Sequence, residues 1–181
     1  GSIDDVRLYN YARTQAQIAY DYNKGKPVAQ YKFDEGGGTI AHNEYSTADT
    51  GVAPMGWWRM DNSWADASGN GYNGTAGGSA TFSASSKIGP YCGSFNGTAD
   101  YVNCGDINAP IEGKNDFTVS FWINASATTG ERTIIGTHSS IAYSAGWNIV
   151  IYSGSMYFIA EDSNVGSPWA IAYNEAHGTI T

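Results

Sequence analysis

Residues 115–124 read N-D-F-T-V-S-F-W-I-N, and this stretch limits the possible folds more tightly than the segments around it. Phe117, Val119, Phe121 and Ile123 fall on one face of a strand, and Thr118, Ser120 and Trp122 fall on the other. The run is rich in aromatic and β-branched residues and contains neither Gly nor Pro, so it suits the middle of a sheet. Residues 92–95, 101–104, 132–136, 146–152 and 155–160 are further short β-rich runs. All five prolines, Pro27, Pro54, Pro90, Pro110 and Pro168, sit between such runs. The 23 glycines, 13 tyrosines and six tryptophans in 181 residues fit short strands and tight turns with little helix.

Charge narrows the partners. Seventeen acidic residues against nine basic ones leave a net charge of −8, which disfavours nucleic acid, because neutralising phosphates needs clustered Lys and Arg. No apolar run approaches the length of a membrane span, so no membrane insertion is expected.

The F-T-V-S-F-W-I run resembles the central strand of laminin G-like domains of the concanavalin A-like superfamily. At the N-terminus, G-S-I-D-D-V-R-L-Y-N reads as a strand, with Asp4, Val6 and Leu8 on one face and Ile3, Asp5, Arg7 and Tyr9 on the other. A short helix follows, opened by a Thr14/Gln17 capping box, closed by Gly25 and pinned by Ile18 and Tyr22. This strand and helix resemble the C-terminal end of a laminin G-like domain. A duplicated start comes next: residues 28–34, V-A-Q-Y-K-F-D, align with residues 55–61, M-G-W-W-R-M-D, and both resemble the family's first strand. The first copy continues into E-G-G-G-T and then loses its pattern. The second runs on through D-A-S-G-N-G-Y-N-G at 66–74 and S-F-N-G-T-A-D-Y-V at 94–102, both similar to family segments.

The resemblance implies an all-β fold, a concanavalin A-like jelly-roll β-sandwich, incomplete, with one short helix near the N-terminus. On this reading residues 1–25 are the final strand and helix of a preceding domain. Residues 26–54 are a linker with a degenerate first strand, and residues 55–181 are the N-terminal portion of a second domain. The strand at 3–10 is expected to dock onto the strand at 57–61, as in a circular permutation, with Val6 and Leu8 entering the core.

Several residues invite chemistry. Cys92 and Cys104 flank a loop centred on Thr98, and a symmetric hairpin would face them across the ladder, the neighbour geometry of a disulfide; two unpaired thiols are the alternative. A disulfide would imply an exported protein. Asp4, on an apolar face, needs a metal or a cage of backbone amides. Asp66, Ser68, Asn70 and Asn73 share a Gly-rich loop and offer the hard oxygens calcium prefers, and Asp4 would approach them. The other reading of that loop is an Asx turn capping its own backbone. Structural calcium, held by Asp4, Asp66 and Asn70, is therefore the cofactor expectation, and the resemblance supplies much of it.

Among the six tryptophans Trp122 is the candidate ligand contact, since it points away from Phe117, Val119 and Phe121. Trp57, Trp58, Trp64, Trp147 and Trp169 read as packing. No nucleophile elbow, H-E-x-x-H helix, phosphate loop or E-x-D-x-x-E glycosidase strand occurs, and His42, His138 and His177 stand alone. The expected function is a non-catalytic module that binds glycans or other cell-surface molecules, extracellular or at a cell surface. A ligand-free structural spacer is the rival, and a glycoside hydrolase fragment is the weaker third. A groove-facing aromatic beside polar groups would favour binding; a sheet face with neither would favour the spacer.

Overall fold

In the computed structural model, residues 1–22, 52–107, 116–137 and 146–161 are described. They are mostly antiparallel β-sheet with one short helix. The first strand, β1 (Ser2–Tyr9), is the hub of the largest sheet. It pairs antiparallel with β2 (Gly56–Trp58) through Val6, Arg7 and Leu8, which is the docking expected from the sequence. Its Ser2 and Ile3 pair with β5 (Cys92–Ser94), which in turn pairs with β4 (Thr81–Ser83). Along its other edge runs β7 (Thr118–Asn124), the apolar strand singled out above.

Strict alternation fails inside β1. The register with β7 slips between Asp4 and Arg7, and Asp5 has a φ of 49°. This is a β-bulge whose extra residue is left-handed, a conformation Asp tolerates better than most side chains. Before the bulge Ile3 packs against the core, and after it Val6 and Leu8 do. Asp4, Asp5 and Val6 are consecutive and all buried, which no regular half-exposed strand allows. Asp4 therefore does not share a face with Val6 and Leu8. It is paired opposite Trp122, on the outer face of the sheet.

A three-stranded sheet is built from β8 (Glu131–Gly136), β9 (Gly146–Tyr152) and β10 (Ser155–Glu161), in the order β10-β9-β8. Ser153 and Gly154, at φ 49° and 84°, make the two-residue turn between β9 and β10; positive φ at both positions matches the right-handed twist of a hairpin. The two sheets share one core. Val6, Leu8, Trp58 and Met60 bury against Trp147 of β9 and Ile107, with Phe121, Ile135, Ile149 and Phe158 packed around them. Phe117 bridges the sheets, its ring 5.2 Å from that of Trp147 and 5.9 Å from that of Phe158.

The hairpin expected around Thr98 does not form. Strand β5 lies inside the large sheet, whereas β6 (Tyr101–Asn103) pairs with β3 (Thr75–Gly77) in a separate two-stranded ribbon. The loop between them is closed by side chains instead of a ladder. Asn96 Oδ1 accepts from the amides of Thr98 and Ala99, and Asp100 accepts from Asn96 N at 2.7 Å and Ser79 N at 2.6 Å. The two strands thus leave the loop for different sheets.

The helix α1 (Gln15–Tyr22) opens with the expected capping box: Thr14 N donates to Gln17 Oε1 at 2.9 Å and Gln17 N to Thr14 Oγ1 at 3.3 Å. Ile18 does not pin it, being 53% exposed, and Tyr22, 67% exposed, meets the sheet with its ring 5.4 Å from that of Trp122. The anchor of the helix is Asp21, described below. Gly25, the first copy of the duplicated start at 28–39, Trp169 and the three histidines lie outside the described residues.

If β1 is the hub, removing residues 1–9 should abolish the cooperative thermal transition, because β2, β5 and β7 lose their common partner. Leu8→Ala should cost about 2–5 kcal/mol in urea denaturation, the usual penalty for emptying a fully buried leucine site. A melting temperature unchanged by the deletion would show the strand to be dispensable.

Candidate functional site

The outer face of the large sheet is held by charge. Arg7 Nη2 lies 3.0 Å from Asp5 Oδ2, and Arg7 Nη1 donates to Asp21 Oδ1 of α1 at 2.7 Å. Arg13, whose side chain is wholly buried, reaches the other Asp21 oxygen at 2.7 Å. Trp57 lies under the guanidinium groups of Arg7 and Arg59, at 4.9 and 5.6 Å, and its indole N–H donates to Asp5 Oδ1 at 2.7 Å. Burial works against the Arg7 charge, but Asp5, Tyr9 and Asp21 outweigh it and raise its pKa.

Asp4 is met by backbone. Its Oδ2 accepts from the amides of Lys87 at 2.8 Å and Ile88 at 2.7 Å. Burial pushes its pKa up, the two amides pull it back, and the neighbouring Asp5 adds repulsion. Of the two neutralising schemes open in the sequence, the described residues supply the amide cage. Asp4 does not reach the 66–70 loop as expected, because the bulge turns it to the segment at 87–88.

Asp66 has a cage of its own. Oδ1 accepts from Trp57 N and Ser68 N, both at 2.9 Å, and Oδ2 from Ser68 Oγ at 2.8 Å and Tyr72 N at 3.1 Å. Burial raises its pKa, but these donors win and hold it below the usual carboxylate range. Asn70 donates its side-chain N–H groups to Met55 O and Ser68 Oγ, at 2.9 and 3.2 Å. The loop thus clips the start of β2 in place. No group of three or more His, Cys, Asp or Glu among the described residues is spaced to hold a metal.

Both cysteines are free, which corrects the disulfide expectation. Cys92 Sγ contacts Ser83 O at 3.5 Å and Ser85 O at 3.4 Å, on the β4 side of β5. Cys104 lies half-buried beyond β6, where burial and then the Asp66 charge push its thiol up to about 11. Trp122 is half-buried, with the Tyr22 ring 5.4 Å away and Lys87 Nζ 4.8 Å from its centroid. Its ring is engaged in holding α1 and the 87–88 segment.

Among the described residues a cleft of about 1240 Å³ opens between the core face of the large sheet and strands β6 and β8. Its floor includes Ile3, Val6, Trp58 and Phe121, and its walls carry Tyr101, Asn103, Asp106, Glu131 and Arg132. Tyr101 is 60% exposed. The ring sits directly on Gly77, its cross-strand partner: a Cβ on Gly77 would stand 2.2 Å from Tyr101 Cζ. Arg132 Nη1 donates to Gly97 O at 3.3 Å, which ties β8 to the 96–100 loop. The sequence reading missed Tyr101, since it sought platforms among the tryptophans. Its only local signal is a glycine at the paired position of another strand, and that pairing was not foreseen.

An all-β module of antiparallel sheets, with a broad cleft and an aromatic at its wall, is what the fold and this site define. Residues 61–175, well over half of the chain, match the family described as Clostridium neurotoxin, N-terminal receptor binding, and the chain belongs to that family. Comparison with curated proteins finds no match, and comparison with solved structures finds none. Among the described residues no helix is long and apolar enough to cross a membrane.

The two carboxylate cages predict opposite pH effects. The lowered pKa of Asp66 makes its contribution fully present above the ordinary carboxylate value and lost as pH falls through the folded value. Asp4, with a raised pKa, favours the folded state more as pH falls through its folded value. Asp66→Asn should therefore flatten the acid limb of stability against pH, read from urea midpoints. Asp4→Asn keeps an acceptor for both amides and should stay within about 1 kcal/mol of the parent at neutral pH, whereas Asp4→Ala orphans both and should cost about 2 kcal/mol or more. The unreduced protein should show two alkylatable thiols, with Cys104 reacting slowly until the pH nears its raised pKa.

Proposed function

We propose that this chain is a non-catalytic binding module that recognises glycans or other molecules at a cell surface, from an exported parent protein. The observation that carries the reading is an exposed aromatic on a strand bordering the cleft: Tyr101 of β6 stands exposed beside Asn103, and both border the cleft. A cleft bordered by an aromatic and a few polar side chains is the kind of surface on which ligands are held and oriented. Membership of a family described as receptor binding supports the same reading. The laminin G-like kinship of the I-D-D-V-R strand and the F-T-V-S-F-W-I strand belongs to this proposal and points the same way.

The test is saturable binding of the labelled chain to mammalian cell surfaces, repeated after protease and after glycosidase treatment of the cells. Saturable binding is expected; loss after glycosidase treatment would identify glycans, and loss after protease alone would identify protein. Absence of saturable binding would favour the spacer. Incubation with polysaccharides is expected to release no reducing ends, and reproducible release would overturn the non-catalytic reading.

A further inference from the structure

Ribbon β3–β6 places three groups on one face. Tyr101 and Asn103 are two residues apart on β6, and Thr75 is the cross-strand partner of Asn103. Side chains two apart on a strand stand about 7 Å from one another, and directly paired ones about 5 Å. All three residues are exposed. We propose that this face is a subsite for a neutral pyranose, stacked on the Tyr101 ring and hydrogen-bonded by Asn103 and Thr75. The proposal rests on the binding-module reading above and specifies where, and with what chemistry, the ligand is held.

The ring is prepared for stacking. Gly77 lies so close beneath it that any side chain there would collide with Cζ, Cε1 and Cε2, at 2.2, 2.4 and 2.7 Å from an ideal Cβ. One ring face is thus seated on backbone while much of the residue remains exposed. The face of an aromatic ring is electron-rich, and the axial C–H groups of a pyranose present the complementary positive edge. A seated ring also loses little side-chain freedom when a sugar arrives, which lowers the cost of binding. Beside it, Asn103 Oδ1 accepts from Gly105 N at 2.8 Å. With the oxygen so engaged, the amide N–H₂ is the group that would donate to a sugar hydroxyl. Thr75 adds a hydroxyl that both donates and accepts.

Charge selects within the sugars. Among the described residues Asp100, Asp106 and Glu131 line the adjoining cleft against Arg132, and the whole chain carries −8. A sialylated or sulfated residue would approach a negative field, whereas an uncharged hexose or N-acetylhexosamine would not.

Saturation-transfer NMR of the full chain with methyl glycosides of glucose, galactose and N-acetylglucosamine tests this, with sialyllactose as the anionic control. At least one neutral glycoside should show transfer to its ring C–H protons, with sialyllactose weaker. Tyr101→Phe should keep the signal. Tyr101→Ala should weaken binding at least tenfold, and Asn103→Ala several-fold, with melting temperatures near that of the parent. No transfer to any of the three neutral glycosides, or transfer unchanged in Tyr101→Ala, overturns the proposal. Cell-surface binding that survives Tyr101→Ala would leave the binding module standing and remove this subsite; loss of both in the parent protein would remove the two together.

Discussion

One residue with a left-handed backbone sets the order of this molecule. Asp5 interrupts β1 with a bulge, and the interruption lets one strand serve two chemistries. Ile3 on one side of it, and Val6 and Leu8 on the other, all face the core. Asp4, Asp5 and Arg7 are released to the outer face or its margin, where each finds polar partners. A non-Gly residue in this region costs about 1–3 kcal/mol unless its surroundings hold it there. Here the Asp5 carboxylate receives the Trp57 indole N–H and the Arg7 guanidinium, so the strain is offset where it arises. Strand β7 pairs on both sides of the kink, β5 before it and β2 after it, so the kink sets the β7 register and separates the stretches of β1 that the other two use.

Helix α1 shows how little hydrophobic burial an element needs when ions anchor it. None of its residues is buried, yet Asp21 bridges Arg7 of the sheet and the buried Arg13. Such a pair adds little net stability over an apolar equivalent, because both partners give up water. Breaking it is another matter: without Asp21, Arg7 keeps Asp5 but the buried guanidinium of Arg13 loses a carboxylate at 2.7 Å, and removing one partner of a buried pair costs about 3–5 kcal/mol. The helix is thus held less by attraction gained than by the penalty for letting go. This explains why its apolar residues, Ile18 and Tyr22, can remain largely exposed.

What could be read in the sequence was what repeats locally. Strands β7, β8, β9 and β10 fall nearly where alternation and turn residues put them, and the Thr14/Gln17 cap forms as its spacing dictates. The docking of β1 onto β2 was legible through a family resemblance. Illegible were features decided by partners far along the chain. A loop symmetric about Thr98 says that two strands end near each other, not that they pair; Asp100 and Asn96 close the loop and send β5 and β6 to different sheets. The bulge at Asp5 was hidden because D-D in a strand looks like alternation, and alternation then assigned Asp4 to the wrong face. The Asp66 loop was legible as an Asx-rich turn, and its donors form the backbone cage that this reading describes.

The same contrast governs the aromatic residues. The tryptophans among the described residues are all occupied: Trp57 between two arginines, Trp58 with its N–H on Tyr72 O, Trp64 stacked on Phe82 at 4.1 Å, Trp122 under Tyr22, and Trp147 against Phe117. A large ring stabilises most when its area is covered, so a small sandwich places its tryptophans inside first. Tyrosine is suited to the wall of a cleft, because its hydroxyl keeps water while its ring face stays apolar. Exposure at Tyr101 is therefore not a failure of packing. The ring is packed on the one side where Gly77 admits it, and the wet hydroxyl lets the rest of it remain uncovered at little cost.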